Sequence, residues 1–201
     1  MHTKTTSEKY RNGGAQGTLP DFKDDMRNRA WRRYTVAWLR EGLRVSKDGA
    51  VLFVFSDHRQ LPDTMDAVEM AGWKYRGVTV WDKLNGCPQL KRPKQDGEFI
   101  IFASKGKLPF DREWGHEKNT MPGVLRYMVP NGAKRNHITE KPLGLMRDLV
   151  KVATPGGLIL DPFVGSGTTA VAAREEGYSC VGIEIMPEIA AIAERRIQEA
   201  S

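Results

Sequence analysis

Asp161-Pro162-Phe163-Val164-Gly165-Ser166-Gly167-Thr168-Thr169 decides how this chain is read. Just before it, Gly157-Leu158-Ile159-Leu160 is a short apolar run of strand type. After it, Thr168 to Glu176 has helical character, and Cys180 to Ile185 is a second apolar run with Glu184 near its close. A strand, a glycine-rich turn, a helix and an acid at the next strand's tip form the nucleotide half-site of an open α/β sheet. The glycines let backbone N–H groups come close to a ligand, and the helix start favours negative charge. Glu184 is placed to accept hydrogen bonds from ribose hydroxyls. Gly165-Ser166-Gly167-Thr168-Thr169-Ala170 also fits G-x-G-x-x-A, so a nicotinamide dinucleotide is one candidate cofactor. A dehydrogenase, however, sets this turn early and follows it with further crossovers, whereas here a single helix follows Glu184.

Working outward, residues 1–23 are polar and glycine-rich without periodicity, the pattern of a loop or a disordered arm. Trp31, Tyr34, Trp38, Leu39 and Leu43 recur at helical spacing, which predicts an amphipathic helix over Asp24–Val45. Ala50 to Phe55 is a strand suited to a sheet covered on both faces. Leu61–Ala71 reads as a helix with Asp63 acidic in its first turn. Tyr75–Trp81 and Glu98–Ser104 read as strands joined by a basic loop, Gly86–Gly97. The stretch Gly106–Asn136 is long and irregular, a type that is usually functional or mobile. It carries Arg112, Lys118, Arg126, Lys134 and Arg135, interleaved with Phe110, Trp114 and Tyr127. Those cations suit phosphate and base contacts. Pro142 sits where a first helical turn tolerates proline, ahead of a helix over Leu143–Ala153. The last helix spans about Pro187 to Ala200.

At 201 residues, 28% charged and 40% hydrophobic, the chain suits one globular domain. A net charge of +6 and a pI near 9.4 fit a polyanionic partner, most simply nucleic acid, with a merely basic surface as the plain alternative. Cys87 and Cys180 fall on a loop and in an apolar strand, with neither metal spacing nor a disulfide framework. No apolar run is long enough to span a membrane, and Met1-His2-Thr3-Lys4 lacks a signal-peptide core, so a cytoplasmic location is expected.

Three segments together narrow the cofactor. The glycine turn resembles the S-adenosylmethionine motif of the amino-directed DNA methyltransferases, which modify N6 of adenine or N4 of cytosine. His137-Ile138-Thr139-Glu140-Lys141-Pro142-Leu143 resembles that family's His-x-Thr-x-Lys-Pro segment, and Gly182-Ile183-Glu184 its ribose-binding strand end. Trp81-Asp82-Lys83 and Glu98 to Lys105 look like strands of the catalytic half. The order matches the subclass in which the cofactor half comes last: 24–105 catalytic, 106–136 target recognition, 137–201 cofactor. The resemblance implies an α/β, Rossmann-like methyltransferase sheet with helices on both faces, acting on double-stranded DNA with S-adenosylmethionine. It implies cofactor contacts from Asp161, Phe163, Gly165, Ser166, Gly167, Thr168, Thr169, Glu184 and Ile185, with His137, Lys141 and Pro142 alongside. Ile189 stands where relatives often carry an aromatic.

The family's catalytic motif, Asp/Asn/Ser-Pro-Pro followed by an aromatic, does not occur in this sequence. In the subclass it lies just before a stretch like Thr3–Tyr10, so the chain is expected to begin immediately after it and to lack one central strand. The Leu158–Leu160 and Val51–Phe55 strands must then pair directly, accept a strand from a homodimer mate or partner chain, or keep open edges. No residue here can take the catalytic role, and a non-catalytic DNA- or cofactor-binding remnant stays open. Four residues have two readings each. Asp57 faces the base or caps the next helix; His137 positions the cofactor or packs. Lys141 contacts the cofactor or is solvated; Trp81 is core or an aromatic wall of the base pocket.

Overall fold

A computed structural model describes residues 28–86, 90–91, 93–108, 120–130 and 140–200. The expectations for the 1–23 arm, Cys87, Arg112, Lys118, Lys134, Arg135 and His137 lie outside the described residues. The elements are α1 (Asn28–Val45), β1 (Val51–Ser56), α2 (Leu61–Met70), β2 (Lys74–Asp82), β3 (Gly97–Ser104) and β4 (Val124–Arg126). The second half adds α3 (Leu143–Val150), β5 (Leu158–Asp161), α4 (Thr168–Glu175), β6 (Ser179–Gly182) and α5 (Pro187–Glu199).

Alternation along β3 builds two cores from one strand. Ile101 and Ala103 face Val36 and Leu39 of α1 and Ala67 and Val68 of α2. There Trp73 donates its indole N–H to the Leu39 carbonyl at 2.9 Å, so a buried polar atom is satisfied. On the other face, Ile100 joins Trp81 and Leu125 beneath Leu145, Met146, Leu149 and Val150 of α3. Helices therefore cover both faces, as the sequence led one to expect.

The strands form two sheets, β1-β3-β2-β4 and β5-β6. β3 runs antiparallel to both β1 and β2, β4 runs parallel to β2, and β5 runs parallel to β6. Among the described residues β1 pairs only with β3 and β5 only with β6, so direct pairing of β1 with β5 does not occur. The two sheets are joined instead through the second core, where Phe53 and Phe55 of β1 and Ile159 of β5 pack against the same cluster as α3. Leu158, Leu160 and Val181 remain exposed at 65%, 41% and 46%.

Several boundaries differ from expectation for local reasons. β4 lies inside the supposedly irregular 106–136 stretch, and three residues are too few to reveal alternation. β6 stops at Gly182 rather than Ile185, because the Glu184 carboxylate turns back to accept from the Met186 N–H at 2.9 Å. α3 ends at Val150 rather than Ala153, where Val152 and Ala153 close tight turns onto Leu149 and Val150. Pro142 stands at the cap with extended backbone (ψ 133°), just outside the first helical turn.

Candidate cofactor site

The glycine turn is braced from β5. One Asp161 oxygen accepts from the Phe163 N–H at 3.0 Å, and the other from the Thr169 hydroxyl at 2.5 Å. Asp161 thus ties the start of the turn to the start of α4, and its oxygens are engaged by the turn itself. Val164 donates its N–H to the Ile183 carbonyl at 3.0 Å, which sets the turn against the tip of β6, one residue before Glu184. Glu184 is half-buried, and Ile185 is exposed beside it. Phe163 is 52% exposed, edge-on to Trp38 with ring centres 5.2 Å apart and 6.4 Å from Tyr34.

The two glycines differ in what surrounds them. A Cβ on Gly165 would meet nothing nearer than the Phe163 carbonyl at 4.0 Å, so that side of the turn is open. A Cβ on Gly167 would lie 2.9 Å from the Cβ of Ala193 on α5. Gly165 therefore leaves open space beside the turn, while Gly167 is explained by helix packing. The hydroxyls are also committed: Ser166 and Thr168 are buried and turned toward Arg196 of α5, at 3.0 and 3.3 Å. What the turn still offers a ligand is backbone. Among the described residues no hydrogen bond occupies the N–H of Gly165 or Ser166.

A second cluster sits where the chain re-enters toward α3. Lys141 donates to one Glu98 oxygen at 2.7 Å, and Lys83 approaches the other at 2.9 Å. The Lys141 ammonium lies 4.8 Å from the Phe55 ring centre and 5.6 Å from that of Trp81, with Lys83 at 5.2 Å from the latter. Burial by itself would raise the Glu98 carboxyl, but the two ammonium groups outweigh it and hold it below the ordinary glutamate range. Lys141 is accordingly not a solvated lysine, and its partner in this structure is Glu98. Trp81 is fully buried and donates its indole N–H to the Tyr127 carbonyl at 2.7 Å, which makes it core, with cations on its ring.

Asp57 closes the turn ahead of α2, which itself has no side-chain cap bond: one oxygen accepts from the N–H groups of Arg59 and Gln60 at 2.9 Å each, and the other from the Arg59 side chain. Arg126, the one described cation of the predicted DNA set, lies on β4 with an exposed side chain 3.6 Å from Asp82. Sequence reasoning missed Glu98, Glu140 and Arg196 as site residues. The signal for Glu98 was a lone acid opening an apolar strand; for Arg196 there was none. Burial, then Asp161, pushes the Cys180 thiol up to about 11, which disfavours the reactive thiolate. Among the described residues no group of His, Cys, Asp and Glu could hold a metal, and no helix is long and apolar enough to cross a membrane.

A family model described as DNA methylase, of the N6/N4 type, matches residues 2–195. The type II methyltransferase M.Cfr9I of Citrobacter freundii is 35% identical over 66% of this chain and 47% of its own length. M.SmaI of Serratia marcescens is 36% identical over 65% of this chain and 49% of its own. The chain thus spans about half the length of these curated relatives. The crystal structure of the M1.HpyAVI–SAM complex superposes with a TM-score of 0.71 at 27% identity, covering 82% of this chain and 83% of that one. The cytosine-N4-specific PvuII DNA methyltransferase shares the fold at a TM-score of 0.74 and 14% identity, over 90% and 75% of the two chains.

Proposed function

Because the chain belongs to the N6/N4 DNA methylase family, we propose that it serves methyl transfer from S-adenosylmethionine to an exocyclic amino group of adenine or cytosine in double-stranded DNA. The observation that carries the reading is the juxtaposition of the open Gly165 turn with Glu184, fixed by the Val164-to-Ile183 bond. In this reading the free N–H groups of Gly165 and Ser166, near the start of α4, receive the carboxylate end of the cofactor. Glu184 accepts from the ribose hydroxyls, and Phe163 and Ile185 offer apolar contact at the rim. Asp161, Thr169, Gly167 and Thr168, with the hydroxyl of Ser166, hold the turn's shape rather than reach the ligand. Bound S-adenosylmethionine supplies an activated methyl group on a sulfonium. The chain's own contribution is then placement, since in-line displacement depends mainly on positioning.

The basic residues Arg112, Lys118, Arg126, Lys134 and Arg135 are assigned to DNA in this proposal, as a recognition segment between the two halves. A partner chain or second copy fits the single-sided pairing of β1 and β5 and the exposed Leu158, Leu160 and Val181. Sedimentation would read that association directly, and a monomer at all concentrations would exclude the second copy.

Calorimetric titration with S-adenosylmethionine and with NAD, followed by labelled-methyl incorporation into duplex DNA, tests the reading. Binding of S-adenosylmethionine with label in DNA is the expected result. Preferential NAD binding would overturn it. Saturable S-adenosylmethionine binding with no incorporation would favour the second reading, a non-catalytic DNA- or cofactor-binding chain.

A further inference from the structure

Arg196, on the last turn of α5, lies just past the family match of residues 2–195. Its side chain is only 15% exposed, and both terminal nitrogens of its guanidinium are engaged. One nitrogen donates to the Ser166 carbonyl at 2.7 Å, the Ser166 hydroxyl at 3.0 Å and the Thr168 hydroxyl at 3.3 Å. The other donates to Glu140 at 2.7 Å, whose side chain is 8% exposed. The next residue, Lys141, points the other way and pairs with Glu98 at the start of β3. Two consecutive residues thus bind opposite partners, one on the cofactor turn and one on the four-stranded sheet.

We propose that Arg196 is a positioning residue for the glycine turn, and that Arg196–Glu140 with Lys141–Glu98 forms an ionic staple setting the turn against the four-stranded sheet. A planar fork with donors in fixed directions suits this task better than a point charge. By drawing the Ser166 carbonyl toward α5, Arg196 fixes the Ser166–Gly167 peptide, whose N–H is directed to the Val164 carbonyl at 2.9 Å. The side of the turn carrying the Gly165 and Ser166 N–H groups is thereby held in one orientation. The staple matters because, among the described residues, β1 and β5 do not pair and no backbone ladder registers the two sheets. Its functional consequence rests on the S-adenosylmethionine reading above.

The test combines two measurements on Arg196→Met, Arg196→Lys and Glu140→Gln in the full chain: amide hydrogen exchange, and S-adenosylmethionine affinity by calorimetry well below the melting temperature. Arg196→Met is expected to accelerate exchange at Gly167 and its neighbours and to weaken the cofactor about tenfold or more. Arg196→Lys, which keeps the charge beside Glu140 but not the fork, should fall between wild type and Arg196→Met. Unchanged exchange in the turn would overturn the proposal. So would a lowered melting temperature with undiminished affinity, the signature of a purely structural arginine. Should Arg196→Met fail to fold, Glu140→Gln retains an acceptor without the charge and must show the same two changes, in smaller measure, for the proposal to stand. A wild-type chain that binds no S-adenosylmethionine would refute the cofactor reading, and exchange in the turn would still decide whether Arg196 holds it.

Discussion

Gly165 and Gly167 both adopt left-handed backbone, at φ +52° and +89°, and a side chain is costly at each for a different reason. At Gly165 the surrounding space is open, so alanine adds only backbone strain of about 1 kcal/mol. At Gly167 alanine adds a clash with Ala193 to that strain, about 2–4 kcal/mol together. Gly165→Ala is therefore expected to weaken cofactor binding while shifting the melting temperature little. Gly167→Ala should chiefly lower the melting temperature. Calorimetric affinity and thermal melts of the two variants check this, and an equal loss of stability in both would contradict the assignment of Gly165 to the ligand side. The sequence marks the two glycines identically, since each fits the same motif. Only the approach of α5, folded back from later in the chain, separates them.

At the scale of elements, β3 and the entry to α3 are joined by charge. Glu98 is held below its ordinary value by Lys141 and Lys83 against the opposing effect of burial. A carboxyl depressed in this way binds fewer protons folded than unfolded. Its contribution is therefore complete above the unfolded glutamate value, about 4.3, and is lost as the pH falls through the depressed folded value. Glu98→Gln should cost about 3 kcal/mol at neutral pH, because two ammonium groups are left without their partner. It should also flatten the loss of stability below about pH 4.3 that is expected of wild type. Denaturant melts between neutral and acid pH read both effects; an acid limb of undiminished steepness in the variant would remove Glu98 as its source. In the same region Gly144 lets α3 lie against Tyr127, whose ring would be 2.6 Å from an added Cβ. The Tyr127 hydroxyl donates to Asp148 at 2.5 Å. Burial first, and then Asp148, push the Tyr127 phenol up to about 12.

For the molecule as a whole, the second core is what makes the two sheets one body. Leu145 is fully buried among Trp81, Ile100 and Leu125, and the cluster that holds it also gathers Phe53, Phe55 and Ile159. Leu145→Ala should destabilise by about 3 kcal/mol through lost burial and the cavity left behind. Because both sheets lean on this cluster, tryptophan fluorescence and far-ultraviolet dichroism should follow one coincident transition in wild type and variant. Separate transitions in the variant would indicate that the β5–β6 half folds on its own.

The parts legible in the sequence are those whose causes are local. Glycines at fixed offsets after an apolar run marked the cofactor turn, helical spacing of Trp31, Trp38 and Leu39 marked α1, and an apolar run of strand length marked β1. β4 escaped because three residues carry no period, and the true ends of β6 and α3 go with one or two local hydrogen bonds. By itself the sequence determined an α/β chain with a glycine turn set between a short strand and a helix. Only the tertiary structure decided which groups of that turn are free. Arg196 takes its oxygens from residues 28, 30 and 56 positions away, and Lys141 takes Glu98 from 43. Partners that distant leave no period or spacing in a single sequence; they meet because burying the apolar faces of α3, α4 and α5 brings them together, and burial then obliges the charges to pair.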